Sequence, residues 1–155
     1  MANIKKTEEM LKRSIFEVFE KMFFIFAEPS RDEARFCQMR ASISFDGPFK
    51  GEMQLRITHD LLRIMAKNML NFEDHEVTDS VEEDCIKEAI NMVCGNFLRK
   101  VEPDHIFDLS IPTYNMISDE SPDEERDQSE MRLTFDAEDN TFEVRLWAPV
   151  LFSEN

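Results

Sequence analysis

The sequence predicts a single α+β domain in which helices cover one face of a mostly antiparallel sheet. The chain has 155 residues, 42% of them hydrophobic, which is enough to build one core of ordinary domain size. Segments in which apolar and polar residues alternate lie on both sides of turn signals, as the strands of hairpins do. Segments with apolar residues three or four positions apart are grouped separately and predict amphipathic helices. This grouping is typical of a two-layer α+β sandwich.

The first predicted helix spans residues 6–26. Its apolar residues recur every three or four positions, at Leu11, Ile15, Val18, Phe19, Met22, Phe23 and Phe26. This spacing places them on one helical face, and Pro29 is expected to end the helix because proline cannot continue the hydrogen-bond pattern.

A hairpin is predicted next. Apolar and polar residues alternate over residues 37–45 and 49–57, with Asp46-Gly47-Pro48 as the turn between them. The alternation predicts two antiparallel strands with one face in the core and one face in water.

Two further helices follow the hairpin. Thr58 is a suitable N-cap for a helix whose core-facing residues are Leu61, Leu62, Met65, Ala66 and Met69. Ser80 and Glu83 have the spacing of a capping box, which predicts the start of a third helix that ends near Lys100.

Three or four strands are predicted after Pro103. Residues 106–111 and 114–117 have strand-like patterning, and residues 131–135 and 142–148 alternate around a polar turn, which predicts a closing hairpin. Between them, residues 118–130 contain seven acids, one proline and one arginine. This composition predicts an extended, mobile loop, since it offers little apolar surface to bury.

The charge of the chain restricts its partners. There are 18 basic and 33 acidic residues, a formal net charge of −15. Such a chain would be repelled by nucleic-acid phosphates and by anionic lipids, so neither a nucleic acid nor a membrane is an expected partner. The amino terminus lacks the apolar run of a signal peptide or membrane span, and a cytoplasmic location is expected.

No metal or cofactor site of the chain's own is predicted. Cys37, Cys85 and Cys94 do not have zinc-site spacing, and their odd number argues against a disulfide framework, so they are interpreted as small buried side chains. The three histidines have no helical ligand spacing, and the acidic loop lacks the residue order of a calcium loop.

The third helix carries the candidate site. At 100° per residue, Asp84, Glu88, Asn91 and Gly95 fall within about 60° of one another. The apolar residues Ile86, Ala89, Ile90, Val93 and Phe97 lie on the opposite side. The polar strip is therefore predicted to face outward, although an acidic strip on a helix is usually an ordinary solvated surface.

These residues resemble a known signature. D-x-x-x-E-x-x-N at residues 84–91, followed by M-V-x-G-N at residues 92–96, is similar to the motif of the CheC/CheX/FliY family of chemotaxis response-regulator phosphatases. Pro112 lies close to the position of that family's proline, although Tyr114 and Asn115 follow it where the family tends to small aliphatic residues. Residues 49–55 and 66–70 are also similar to the family's strand and helix. One copy of the motif is present, as in the single-site CheX branch.

The resemblance implies a CheX-like fold and a homodimer formed through the sheet. Under this interpretation the apolar segment 146–152 would be a covered sheet edge, while the alternative is that it completes the core of the monomer.

The resemblance also implies a phosphatase acting on the phosphoaspartate of a CheY-like receiver domain in two-component signalling. Asn91 would orient the attacking water, and Glu88 would bind a lysine of the partner. Asp84 and Gly95 would contribute to partner binding, and the phosphorylated partner would supply the magnesium ion. The alternative function is a non-catalytic dimeric adaptor that binds a receiver domain without dephosphorylating it.

Overall fold

The computed structural model describes residues 4–117 and 130–152. Along the chain the elements are α1 (Ile4–Phe23), β1 (Glu28–Pro29), β2 (Met39–Asp46), β3 (Gly51–Ile57), α2 (His59–Leu70), a 3₁₀ turn (Asp74–Glu76), α3 (Asp79–Val101), β4 (Asp108–Leu109), β5 (Thr113–Met116), β6 (Glu130–Ala137), β7 (Asn140–Trp147) and α4 (Pro149–Phe152).

The strands form one antiparallel sheet covered by helices on one face. The order is β1-β6-β7-β3-β2-β4, and β5 also pairs with β2. α3 packs on α1, on α2 and on the inner face of β2 and β3. The predicted α+β architecture is confirmed. None of the described helices is both long and apolar enough to cross a membrane.

The first hairpin follows the predicted alternation, with slightly shorter strands. Ala41 pairs with Leu55 and Ile43 pairs with Met53, and all four side chains point into the core. Gly51 begins β3 where a Cβ atom would lie only 2.4 Å from the Phe45 ring. No side chain fits at this position without displacing its neighbours.

The predicted end of the first helix is wrong. α1 ends at Phe23, and Phe24 has a left-handed backbone with φ 54°. This turn carries Ile25 into the core, where its N–H donates to the Phe19 carbonyl, and leaves Phe26 75% exposed. Pro29, predicted to terminate the helix, instead lies in β1 and pairs with β6.

The N-cap of α2 is confirmed and that of α3 is corrected. Thr58 accepts a hydrogen bond from the Leu61 N–H, as predicted. α3, however, begins two residues earlier than expected, with Thr78 as N-cap accepting from the Val81 N–H. Ser80 and Glu83 therefore lie inside the helix and do not form its capping box.

The closing hairpin places β7 in the interior of the sheet. Glu138 and Asp139, both with positive φ, form the two-residue turn between β6 and β7. β7 lies between β6 and β3, so the expectation that residues 146–152 form a covered sheet edge is wrong. Leu146 and Leu151 are buried, and the segment completes the core of the chain.

The first two strands after α3 are shorter than predicted. β4 and β5 cover only part of residues 106–117, and Ile106 is 91% exposed beside them. The predicted loop at residues 118–130 lies outside the described residues except for Glu130, which begins β6.

Candidate functional site

The inner face of α3 seats this helix on the core. All five residues of the predicted apolar stripe are fully or almost fully buried: Ile86, Ala89, Ile90, Val93 and Phe97. Because side chains on one side of a helix share an orientation, burial of this stripe turns the opposite side toward solvent.

The predicted polar residues lie together on that outer side. We call Asp84, Glu88, Asn91 and Gly95 the outer strip. Asp84 and Glu88 are exposed, and Asn91 and Gly95 are partly exposed. Among the residues that the structure describes, no side chain forms a hydrogen bond or an ion pair with Asp84, Glu88 or Asn91. Residues three apart on a helix are neighbours, so the carboxylate of Glu88 and the amide of Asn91 can act on one ligand.

Gly95 is not required by the packing of the chain. A Cβ atom placed on it would meet no described atom within 4 Å, and its backbone is helical. A glycine inside a helix costs about 1 kcal/mol relative to alanine. Contacts among the described residues therefore give no reason for a glycine here, whereas a surface that approaches the helix closely would need a glycine.

One flank of α3 is closed by a hydrogen-bonded seam with α1. The Asn96 side chain accepts a hydrogen bond from Ser14 Oγ at 2.9 Å and one from Lys100 Nζ, and it donates to Glu17 Oε2 at 3.3 Å. Lys100 Nζ also donates to Glu17 Oε2 at 2.9 Å, and this bond lowers the pKa of the Glu17 carboxyl. We call these four residues the α1 seam. Asn96, part of the recognised motif, holds two helices together.

A buried carboxylate anchors the start of α3 to α2. The Glu82 side chain is only 3% exposed. Its carboxylate accepts a hydrogen bond from Arg63 Nη1 at 2.8 Å and lies 2.8 Å from His59 Nε2. Arg63 also donates to the carbonyls of Val77 and Asp74. This cluster was not predicted from the sequence, although an acid at position 82, on the buried side of the helical projection, was a signal for it.

The other flank of α3 is an open groove beside β5. Its volume is about 560 Å³, and it lies between the first turns of α3 and strands β2 and β5. Among its lining residues are Met39, His59, Asp79, Glu83, Tyr114 and Met116. We call this the β5 groove. Pro112, the predicted family proline, lies immediately before β5 and not on α3.

Two of the three cysteines are fully buried, as predicted. Burial raises the pKa of both Cys85 and Cys94 to about 12. Cys37 is only half-buried, and burial raises its pKa to about 11. Within residues 4–117 and 130–152, no three His, Cys, Asp or Glu side chains are arranged to hold a metal ion.

The fold and the outer strip define a two-layer α+β domain that presents free polar side chains on one exposed helix. The family model described as chemotaxis phosphatase CheX matches residues 39–136, more than half of the chain, and the chain belongs to this family. The predicted membership of the CheC/CheX/FliY group, in its CheX branch, is confirmed. No curated protein matches the chain.

Solved structures share this fold at low sequence identity. A CheX from Desulfovibrio desulfuricans has 16% identity and a TM-score of 0.76, with 92% of this chain and 99% of that chain covered. A CheX from Vibrio vulnificus has 19% identity and a TM-score of 0.77, with 92% and 95% covered. The CheX of a CheX–CheY–BeF3–Mg complex from Borrelia burgdorferi has 14% identity and a TM-score of 0.69, with 92% and 97% covered. The CheX-like fold is thereby confirmed.

Proposed function

We propose that this chain hydrolyses the aspartyl phosphate of a CheY-like receiver domain in the cytoplasm, using Asn91 to orient water and Glu88 to dock the partner. The observation that carries the proposal is the outer strip itself. Glu88 and Asn91 lie one turn apart on the exposed side of a well-anchored helix, and no described side chain engages either of them.

The chemistry requires little from the phosphatase. Water attacks phosphorus, the bond between phosphorus and the aspartyl oxygen breaks, and the products are inorganic phosphate and a free carboxylate. The partner supplies the phosphoaspartate, a magnesium ion and a nearby lysine, so the remaining need is a water held in line with the breaking bond. An amide suits this task because it can both donate and accept hydrogen bonds. Asn91 has such an amide, and it is not committed to the fold.

Glu88 is better suited to docking than to chemistry. A carboxylate would be repelled by the phosphoryl oxygens but attracts the partner's lysine, which fixes the position of the two proteins. Asp84 adds negative charge one turn earlier on the same strip, and Gly95 leaves room for the partner's loops.

The nature of the partner is supported by a family relative. The CheX from Borrelia burgdorferi was solved in complex with CheY, BeF3 and magnesium, and this chain shares its fold. We infer that this chain also acts on a CheY-like receiver that carries its own magnesium ion.

The test is the decay of a phosphorylated CheY-like receiver in the presence of magnesium. Catalytic amounts of the chain should accelerate decay, and Asn91→Ala should lower kcat by about 100-fold or more because the water is no longer positioned. The affinity of Asn91→Ala for a receiver activated with BeF3 and magnesium should stay within twofold of the parent. Unaccelerated decay despite binding would instead support the adaptor function.

Docking through Glu88 has a separate signature. Glu88→Ala should weaken receiver binding more than it lowers kcat, and the loss should be largest at low ionic strength, where charge pairs are least screened. A Glu88→Ala variant that binds normally but has lost turnover would contradict this assignment.

We further propose that the chain forms a homodimer through a sheet edge. Residues 130–133 of β6 pair with β7 on one side, and no described strand pairs with them on the other. Such a row of backbone groups is a template for a second strand. Light scattering should give a mass close to twice 18.3 kDa, and a monomer at all concentrations would contradict the proposal.

A further inference from the structure

The outer strip is too small to hold a receiver domain by itself. From Asp84 to Gly95 it extends roughly 16 Å along the helix, at 1.5 Å per residue. With a width of about 10 Å it offers roughly 160 Å², whereas a specific interface covers about 800 Å² on each partner. A receiver that docks on the strip must therefore also contact a flank of α3.

The two flanks of α3 offer different surfaces. On one side, the α1 seam fills the space between the helices with its own hydrogen bonds, among them the one from Asn96 to Glu17. On the other side, the β5 groove is open and has a volume of about 560 Å³. Of these two flanks, as far as the described residues form them, the β5 groove is the one with space for a side chain of a partner.

The β5 groove combines an apolar floor with an acidic wall. Met39, Tyr114 and Met116 line the groove on the side of β2 and β5, and Met116 is 71% exposed. Asp79 and Glu83, from the first turns of α3, supply carboxylates on the opposite side. An apolar stem that ends in a cation would satisfy both surfaces at once.

The described basic side chains around the groove neutralise only part of its negative charge. His59 and Arg63 are both directed at the buried Glu82. Lys87 Nζ forms an ion pair with Glu83 at 2.7 Å, which leaves Asp79 without a described cationic partner. Burial, together with the charges of Glu82, Glu83 and Asp79, raises the pKa of the Tyr114 phenol, as expected beside an excess of negative charge.

The groove is continuous with the outer strip. Glu83 lies four residues before Lys87, and Lys87 lies four residues before Asn91, so the three side chains follow one another along the helix surface. A partner seated over Asn91 reaches the groove about two helical turns away.

We propose that the β5 groove receives a lysine or arginine side chain of the receiver domain. Its stem packs on Met39, Tyr114 and Met116, and its charged end lies at Asp79 and Glu83. The identity of this partner rests on the proposed function. The groove therefore sets which receiver is bound, while the outer strip acts on the phosphoryl group.

The experiment uses three groove variants and a matched control. The groove variants are Asp79→Asn, Glu83→Gln and Met116→Ala, and the control is the double variant Asp104→Asn/Ile106→Ala, in which an exposed acid and an exposed apolar residue are changed outside the groove. For each variant, the Kd for a receiver activated with BeF3 and magnesium is measured together with kcat and KM. Thermal unfolding checks that every variant is folded.

Asp79→Asn and Glu83→Gln should each raise Kd and KM about fivefold, and Met116→Ala should raise both about threefold. In all three variants kcat should stay within twofold of the parent, because these contacts lie away from the reacting atoms. The control should match the parent. Charge reversal in Glu83→Lys should be rescued by a lysine-to-glutamate change at one position of the receiver, found by scanning its exposed basic residues.

The outcomes separate this proposal from the proposed function. If the parent accelerates decay and Asn91→Ala does not, but the groove variants keep parental Kd and KM, the groove proposal alone is overturned. If decay is not accelerated but the groove variants still weaken binding, the groove proposal stands and the phosphatase function fails. Binding of spermidine in the groove without any effect on receiver affinity would mark a small-cation site and overturn the proposal. A complete absence of receiver binding overturns both.

Discussion

Asn91 and Asn96 lie five residues apart on the same helix and have opposite environments. Asn96 faces α1 and forms hydrogen bonds with Ser14, Glu17 and Lys100. Asn91 faces outward and has no described partner. Asparagine is a weaker helix former than alanine, so the folded chain gains stability from Asn96 but gains none from Asn91. Asn91 therefore has no described role in the fold, which is consistent with the role in water positioning that we propose for it.

Two glutamates and two glycines differ in the same way, because one of each pair contacts its neighbours in the fold and the other has no such described contact. Glu82 is enclosed by Arg63 and His59, whereas Glu88 is exposed and has no partner among the described residues. Gly51 is required by close contacts within the sheet, whereas a Cβ on Gly95 would meet no described atom within 4 Å. In each pair one residue serves the fold, and the other is available to a partner.

The largest expected effect separates the two asparagines. Asn91→Ala should lower the rate of receiver dephosphorylation about 100-fold while leaving the free energy of unfolding unchanged or slightly higher. Asn96→Ala should lower the free energy of unfolding by about 1–2 kcal/mol, because it removes several hydrogen bonds, and should keep kcat within twofold. Hydrolysis rates and urea unfolding of both variants test this. A large loss of kcat in folded Asn96→Ala would remove the distinction between the outer strip and the α1 seam.

The next largest effects are expected from substituting the two glycines, Gly51 and Gly95. Gly51→Ala places a Cβ atom 2.4 Å from the Phe45 ring and from the Trp147 carbonyl oxygen, which should cost about 2–3 kcal/mol. Gly95→Ala should instead stabilise the chain by about 0.5–1 kcal/mol, since alanine is the better helix former. The same Gly95→Ala change should raise KM for the receiver if the partner approaches the helix closely. Differential scanning calorimetry and steady-state kinetics are the measurements, and a stabilised variant with parental KM would show that Gly95 is not an approach point.

Smaller effects are expected from substituting the two glutamates, Glu82 and Glu88. Glu82→Gln keeps the shape of the side chain but removes the charge that Arg63 and His59 share, and it should lower the free energy of unfolding by about 2 kcal/mol. Glu88→Gln should leave stability within about 0.5 kcal/mol and should weaken receiver binding. Equal losses of stability in the two variants, measured by urea unfolding, would contradict the assigned roles.

Local patterns predicted most of the fold, and they failed where tertiary packing overrode them. The spacing of apolar residues predicted three long helices and both hairpins correctly. It extended α1 to Phe26 because Phe26 fits the helical period, but the left-handed turn at Phe24 delivers Ile25 to the core instead. Ser80 and Thr78 are both suitable caps, and only the observed hydrogen bond to Val81 selects Thr78.

The positions of the site residues were predictable, but their partners were not. Helical angles alone placed Asp84, Glu88, Asn91 and Gly95 on one outward strip. The bond between Ser14 and Asn96 joins residues 82 positions apart, and no local pattern predicts such a contact. The β5 groove likewise exists only because a short strand after Pro112 packs beside the start of α3.

The smallest expected effect is the pH dependence of the α1 seam. The hydrogen bond from Lys100 to Glu17 lowers the pKa of this carboxyl below its ordinary value of 4.5. A lowered pKa in the folded state means that Glu17 stabilises the fold above about pH 4.5 and that this contribution is lost as the pH falls through the folded-state value.

The Glu17 side chain is 41% exposed, so screening by solvent limits the contribution to less than about 1 kcal/mol. Glu17→Gln should therefore be slightly less stable than the parent at pH 7, and the difference should shrink as the pH falls below 4.5. Urea unfolding at pH 7, 5 and 3 measures it, with Glu20→Gln, an exposed acid on the same helix, as the control. A constant difference at all three values would show that packing, and not charge, holds the seam at Glu17.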